Sequence, residues 1–266
     1  MLKALVSLFV LSLAISVAEA ADPDAANSLL PETVNEHEPV KYFERYKPSY
    51  FLLGKPNTKS QISFKVSLFR DFPLYFAYSH LLIWDLFKES APFRDFNANP
   101  EFFYRLRVAG GPRNARDLDI GFYEHESNGR PGIESRGWNH SYLRFTSNNM
   151  LSSEGIWWSV KFQIAHGIEE GPSKDLPKRR GLYEFQVGIS NLFERLFDVN
   201  EVIFRIYGGG RSRVNPLEGG QEITYREKDS RRKFLLPLYF QIFHGYGEYL
   251  LDADDKHWGF RAGVGF

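Results

Sequence analysis

No cysteine occurs anywhere in the 266 residues. That one absence removes disulfide scaffolds, cysteine–zinc sites and thiol catalysis. Net charge is missing as well: 33 Lys plus Arg balance 33 Asp plus Glu, so there is none of the basic excess that accompanies nucleic-acid binding. Beyond residue 20, no apolar run approaches the ~18 residues of a membrane-spanning helix. No internal repeat or low-complexity linker divides the chain, which reads as one domain. What the chain has in excess is aromatic: 16% of it, with 24 Phe and 14 Tyr. A chain rich in aromatics, polar on average (mean hydropathy −0.37) and without a spanning helix points to an all-β protein. A transmembrane barrel reconciles these facts.

The first residues read as an address. Lys3 supplies a positive start, residues 4–17 an apolar stretch, and Ala18-Glu19-Ala20 a small-x-small cleavage site. Residues 1–20 are therefore expected to be a cleaved signal peptide rather than a structural helix, with the mature chain starting near Ala21. A cysteine-free exported chain suits an oxidising periplasm. Residues 21–48 are polar and punctuated by proline, which suggests a periplasmic N-terminal segment, and 49–266 are expected to form the barrel.

Alternation with period two, the signature of a half-buried strand, runs through the rest. Ile62, Phe64, Val66 and Leu68 alternate with Ser63, Lys65 and Ser67, and Trp158, Val160, Phe162 and Ile164 enclose Ser159, Lys161 and Gln163. At the C-terminus Trp258, Phe260, Ala262, Val264 and Phe266 share one face, and His257, Gly259, Arg261, Gly263 and Gly265 the other. A chain that closes on such a strand with a final Phe resembles bacterial outer-membrane barrels. A soluble β-sandwich is the bland alternative. Its core has limited room for large aromatics, whereas here the apolar face is bulky in nearly every strand and the opposite face carries Arg, Lys, Glu and Gln, as a polar lumen would. A closed barrel also pairs every backbone group, which lipid demands.

Twelve strand candidates follow: 49–54, 62–72, 74–84, 101–109, 118–127, 139–149, 156–166, 181–190, 201–210, 220–229, 233–247 and 257–266. The fold expected is thus a 12-stranded antiparallel transmembrane β-barrel with both chain ends on the periplasmic side. The longer connections 85–100, 128–138, 167–180 and 248–256 then fall outside the cell. Of the remaining histidines, His140, His166, His244 and His257 show no metal spacing and are expected to line the interior, and Gly208-Gly209-Gly210 is expected to be a strand end. Lys178-Arg179-Arg180, Arg211 and Arg213 read as solvated loop charge or as contacts to lipopolysaccharide phosphates.

The chemistry centres on His125-Glu126-Ser127-Asn128-Gly129-Arg130, at the outer end of the candidate strand 118–127. Residues i and i+2 of a strand share a face about 7 Å apart, so His125 and Ser127 project side by side, as a hydroxyl nucleophile and its base must. The base needs an orienting acceptor, and Asn139, after a hairpin of suitable length, shares parity with Leu143 and Phe145 and so faces lipid. Parity also creates a conflict, because the apolar Leu118, Ile120 and Phe122 are even-numbered while His125 and Ser127 are odd. Both sets face lipid only if one residue is absorbed between them, which predicts a β-bulge within 120–123. On its own, a His and a Ser two residues apart is weak evidence and equally describes a solvated loop end.

The wider run is specific. Gly121-Phe122-Tyr123-Glu124-His125-Glu126-Ser127-Asn128-Gly129-Arg130 followed by Ser135-Arg136-Gly137-Trp138-Asn139 resembles the outer-membrane phospholipase A family, whose signature is Tyr-x-His-x-Ser-Asn-Gly and then Ser-Arg-x-Trp-Asn. Ser90-Ala91-Pro92-Phe93-Arg94 and Gly245-Tyr246-Gly247-Glu248 resemble further family stretches, so the likeness spans most of the mature chain. The resemblance implies a calcium-dependent phospholipase that cleaves acyl esters of phospholipids and lysophospholipids, works as a homodimer and faces the outer leaflet of the bacterial outer membrane. It makes Ser127 the nucleophile, His125 the general base and Asn139 the orienter. It maps calcium ligands to the Arg130 carbonyl, the Ser135 hydroxyl, Ser90 across a dimer, and Glu170 in the acidic outer loop. One departure stands out: Gly132 occupies the family's Asp position, with Glu134 as a possible substitute and solvated loop acid as the alternative for Glu134, Glu169 and Glu170. His80 falls on a candidate dimer-facing strand. The competing readings are a non-enzymatic or porin-like barrel with a remnant site, and a lipid A deacylase.

Overall fold

The computed structural model describes residues 43–108, 116–147, 155–166, 171–192, 199–209, 215–227 and 236–265. The expected signal peptide, residues 21–42, Glu170, Arg211, Arg213 and the terminal Phe266 lie outside the described residues. The strands are β1 (Phe43–Arg45), β2 (Tyr50–Lys55), β3 (Thr58–Ser67), β4 (Leu74–Trp84), β5 (Phe93–Val108), β6 (Arg116–Ser127), β7 (Gly137–Ser147), β8 (Ile156–His166), β9 (Tyr183–Ser190), β10 (Asn200–Gly209), β11 (Asn215–Glu227), β12 (Leu238–Gly245) and β13 (His257–Gly265). A short helix, α1 (Leu176–Arg180), sits in the β8–β9 loop.

Every strand pairs antiparallel with its neighbour, and the β13–β2 and β3–β4 ladders close the circle. β1 and β2 both pair with the same edge of β3, Phe43 opposite Val66 and Tyr50 opposite Gln61. They are two pieces of one stave, so thirteen strands make a twelve-stave barrel. Among the described residues the wall begins at Phe43, inside the stretch read as a lead-in. Closure leaves no exposed sheet edge, the condition for a sheet to sit in hydrocarbon.

The molecule is inside-out relative to a water-soluble protein. Phe162, Ile164, Trp258 and Phe260 stand more than half exposed on the outer wall, while Glu101, Asp119, Glu201 and Arg261 are buried within. The lumen is filled by ion pairs: Arg105 grips both oxygens of Asp119 at 2.7 and 2.9 Å, Arg226 meets Glu201 at 2.6 Å, and Lys59 reaches Glu222 at 3.2 Å and Glu248 at 3.1 Å across the bore. A charge turned to mid-membrane lipid costs about 2–4 kcal/mol, and removing one partner of a buried pair costs about 3–5 kcal/mol. Both penalties act on a strand that slips by one residue, so these pairs fix which face of each strand is inward.

Two expectations need correction. β5 starts at Phe93, not near residue 101. Its first half reads as a loop because Asp95, Asn97, Asn99 and Pro100 are turn formers, yet the three polar residues are buried lumen-facing members of a regular alternation with Phe96 exposed outside, and Phe93 is also exposed because the β4 ladder shifts register between Asp95 and Phe93. And of the four histidines expected inside, only two are: His140, 2.7 Å from Glu124, and His257, 2.7 Å from Glu248. His166 is exposed and hydrogen-bonds the outward-facing Ser141, and His244 packs against the outer-wall Trp258 with centroids 4.2 Å apart and the rings tilted by 36°. Two of the three basic residues in α1 are tied down, Arg179 to Asp254 at 2.8 Å and Arg180 to Glu126 at 3.2 Å, while Lys178 is exposed.

Candidate active site

β6 carries the irregularity that parity requires. Against β7, Gly121 pairs with Tyr142 and Glu124 with His140, so two residues of β6, Phe122 and Tyr123, stand opposite the single residue Ser141. The β5 ladder shifts at the same point, between Phe102 and Phe103. Ile120 is exposed below the bulge, Phe122 and Tyr123 are exposed at it, and His125 and Ser127 are half-buried on the same outward face, while Asp119, Gly121, Glu124 and Glu126 are buried inside. Were these same residues to alternate strictly, with no bulge, His125 and Ser127 would point into the lumen.

Asn139 lies directly across from His125 in the β6–β7 register. Its Oδ1 is 2.7 Å from His125 Nδ1. An amide oxygen accepts, so Nδ1 carries the proton and the Nε2 lone pair is free, the tautomer a general base needs. The Tyr123 ring lies nearly parallel to the imidazole, 10° between planes and 6.4 Å between centroids. Ser127 has small residues as cross-strand partners, Ala98 on β5 and Gly137 on β7. A Cβ at Gly137 would stand only 3.2 Å from Ser127 Cβ, so the glycine keeps the space beside the hydroxyl open.

The lumen side props up this wall. The β5 ladder passes from Ala98–Ser127 to Glu101–Glu124 without a pair at Pro100, which has no N–H to donate. The Asn99 side-chain amide donates instead to the His125 carbonyl at 3.0 Å. Glu124, directly behind His125, is held by His140 at 2.7 Å and Lys161 at 2.6 Å. Glu126, behind Ser127, accepts from the Trp138 indole at 3.1 Å.

The loop above the site is organised by Asn128, which the motif contains but whose role spacing does not reveal. Its buried amide donates to the Glu134 carbonyl at 2.9 Å and accepts from the backbone N–H groups of Arg136 at 2.9 Å and Arg130 at 3.3 Å. Gly129 (φ 64) and Gly132 (φ 61) take left-handed turns there. Of the expected calcium ligands, Arg130 and Ser135 share this loop. The Arg130 side chain is committed elsewhere, to Glu134 at 2.7 Å and to the Arg94 carbonyl at 2.5 Å, but its carbonyl and the Ser135 hydroxyl make no hydrogen bond among the described residues. Two free hard-oxygen donors in one loop fit calcium in kind. Gly132 offers no carboxylate, and Glu134 spends its own on Arg130. Ser90 (φ 60) sits at the tip of the separate β4–β5 loop, and no hydrogen bond joins it to residues 130–135. No cluster of three or more His, Asp or Glu gathers as a metal site among the described residues.

A closed barrel with an apolar wall, a charged lumen and a polar constellation at one end of that wall defines a transmembrane β-barrel of the bacterial outer-membrane type. A profile of phospholipase A1 matches residues 22–266. The chain belongs to the phospholipase A1 family, a family of ester hydrolases of the bacterial outer membrane. It is 30% identical over 226 residues to phospholipase A1 of Salmonella typhimurium, covering 78% of this chain and 69% of that protein. It is 26% identical over 302 residues to phospholipase A1 of Escherichia coli strain K12, covering 98% and 95%. The solved outer membrane phospholipase A of E. coli superposes with a TM-score of 0.68 at 22% identity, over 91% of this chain and 96% of that one. An active-site mutant of that protein, with alanine in place of an asparagine, gives the same score of 0.68. The outer membrane phospholipase of Salmonella typhi, solved as a dimer with bound calcium, gives 0.65 at 22% identity over 91% and 96%.

Proposed function

We propose that the chain is a calcium-dependent phospholipase that hydrolyses acyl esters of phospholipids and lysophospholipids in the outer leaflet and works as a homodimer. The observation that carries this reading is the 2.7 Å His125–Asn139 hydrogen bond on the lipid-facing wall, with Ser127 next along the same face.

Ser127 Oγ attacks the ester carbonyl carbon as its proton passes to His125 Nε2. The carbonyl oxygen becomes an oxyanion. Collapse expels the lysolipid alkoxide, which takes the proton back from His125, and the acyl group stays on Ser127. Water, deprotonated by the same imidazole, then releases the fatty acid and restores Ser127. Asn139 holds the tautomer throughout. A neutral amide stabilises the imidazolium less than a carboxylate would, so the oxyanion needs support from elsewhere. Calcium would be held by the Arg130 carbonyl, the Ser135 hydroxyl, Glu170 and, across the dimer, Ser90 of a second copy. When bound, it would supply positive charge against the developing oxyanion. The calcium-bound dimer of the S. typhi protein supports both parts of this reading, and the active-site asparagine of the E. coli protein supports the assignment of Asn139.

The test is fatty-acid release from phospholipid in mixed micelles. The wild-type chain should release fatty acid with calcium and lose that activity on chelation. Ser127→Ala should fall to background under every condition. Undiminished hydrolysis by Ser127→Ala would end the assignment. Cross-linking with and without calcium should show a dimer favoured by the ion.

A further inference from the structure

A second polar pair stands on the outer wall beside the proposed triad. Ser141 is the residue opposite the bulge. Its hydroxyl donates to the Phe122 carbonyl at 3.0 Å, and its oxygen lies 2.9 Å from His166 Nε2. A hydroxyl has one proton, and here the carbonyl takes it. The oxygen therefore accepts from His166, whose Nε2 carries a hydrogen. The chain of donors runs from His166 to Ser141 to the bulge carbonyl. His166 itself stands opposite Asn139 in the β7–β8 register.

The need for such a chain is physical. A bulge takes backbone out of the ladder, and on a wall that faces lipid a carbonyl has few partners outside the protein itself. The surroundings are apolar: Leu143, Phe162 and Ile164 are exposed on the same wall. Two polar side chains set in that surface carry a desolvation penalty of their own, and the bulge carbonyl is what gives them a role.

We propose that Ser141 and His166 are positioning residues: they clamp the Phe122 carbonyl, and through it hold the bulge that turns His125 and Ser127 outward. This rests on the proposed Ser127–His125–Asn139 reading. Neither residue touches the reacting ester. Loss of the clamp loosens the angle at which β6 leaves the bulge, so it lowers the fraction of molecules with His125 in line with Ser127 and leaves the acyl-binding wall as it was. The effect belongs to kcat and not to KM.

The experiment compares Ser141→Ala, Ser141→Thr, His166→Leu and His166→Gln with wild type and Ser127→Ala, in calcium-containing mixed micelles. Folding is followed by gel mobility without heating. Thr restores the hydroxyl and Gln restores an N–H donor. The expected result is a kcat lowered about tenfold to a hundredfold by Ser141→Ala, the scale of a reacting group displaced by about an ångström, with KM held within about twofold. Ser141→Thr should recover most of that loss. His166→Leu should lose less than Ser141→Ala, and His166→Gln should recover it. A folded Ser141→Ala with wild-type kcat overturns the inference, and so does a Ser141→Thr no better than alanine. Activity in Ser127→Ala would instead overturn the reading on which it rests, so the two failures are distinct.

Discussion

At the scale of single residues, the geometry makes Asn139 the most informative position after Ser127. Its amide oxygen, 2.7 Å from His125 Nδ1, selects the tautomer. Asn139→Ala is expected to keep the barrel folded and to lower kcat by about a hundredfold, within the range attributed to a positioned acid–base group. Asn139→Asp should retain more activity, since a carboxylate accepts the same proton. Initial rates of fatty-acid release decide both. The shared outward face of His125, Ser127 and Asn139 is legible in the sequence because their relation is local, i and i+2 on one strand and a hairpin partner, whereas the roles proposed for them come from the family resemblance of the wider run. Ser141 and His166 are not legible there. A serine among apolar residues on a strand carries no signal until the residue it faces is known, and His166 reads as lumen lining because polar side chains in a barrel are assigned to the interior by default.

Secondary-structure elements carry a different kind of argument, and here β6 matters most. Parity alone required a bulge within residues 120–123, and the register shift between Gly121 and Glu124 supplies it. Deleting Tyr123 removes the extra residue and restores strict alternation. The remaining residues then pair without a break, Phe122 with Ser141, Glu124 with His140 and His125 with Asn139, so the variant is expected to assemble as a barrel with Ser127 still facing lipid and still reacting with a serine-directed phosphonate. Complete loss of labelling in a folded variant would show that β6 re-pairs in another register and would contradict this reading of the bulge. β5 is the counterexample to legibility. Asp95, Asn97, Asn99 and Pro100 have the composition of a loop, and nothing local distinguishes a polar loop from a strand whose inward face meets charges instead of a core. Once the lumen is known, each has a place: Asp95 accepts from Asn97 at 2.7 Å and from the Leu251 N–H at 2.9 Å, and Asn99 completes the pairing that Pro100 cannot.

For the molecule as a whole, the charges that balance to zero in the sequence are sorted by the fold into a lumen crowded with ion pairs. Lys59, Glu222, Gln241, Glu248 and Arg261 bridge staves on opposite sides of the closure seam, an arrangement suited to bracing a wall and poorly suited to conducting ions. Glu248, in the β12–β13 loop above the strands, shows the consequence for acid stability. Burial pushes its carboxyl up, but Lys59, Arg261 and a hydrogen bond from His257 overcome that and hold it well below the usual carboxylate range. A lowered folded-state pKa means that its stabilising contribution is complete above the unfolded value of about 4.3 and is lost as pH falls through the folded one. Unfolding midpoints of wild type and Glu248→Gln in detergent should therefore differ at pH 7 and converge only in strong acid, well below about pH 4. A gap that stays constant from neutral to strongly acidic pH would contradict that assignment.

The outward aim of His125 and Ser127 also decides what concentration means for such a catalyst. A cleft open to water samples molecules per litre. A hydroxyl on the flank of a barrel meets only what drifts past in the surrounding lipid sheet, so its encounters scale with molecules per unit area. Under the proposed reading, the surface density of phospholipid in the leaflet, rather than the amount of lipid in suspension, then sets how often an ester comes within reach of Ser127.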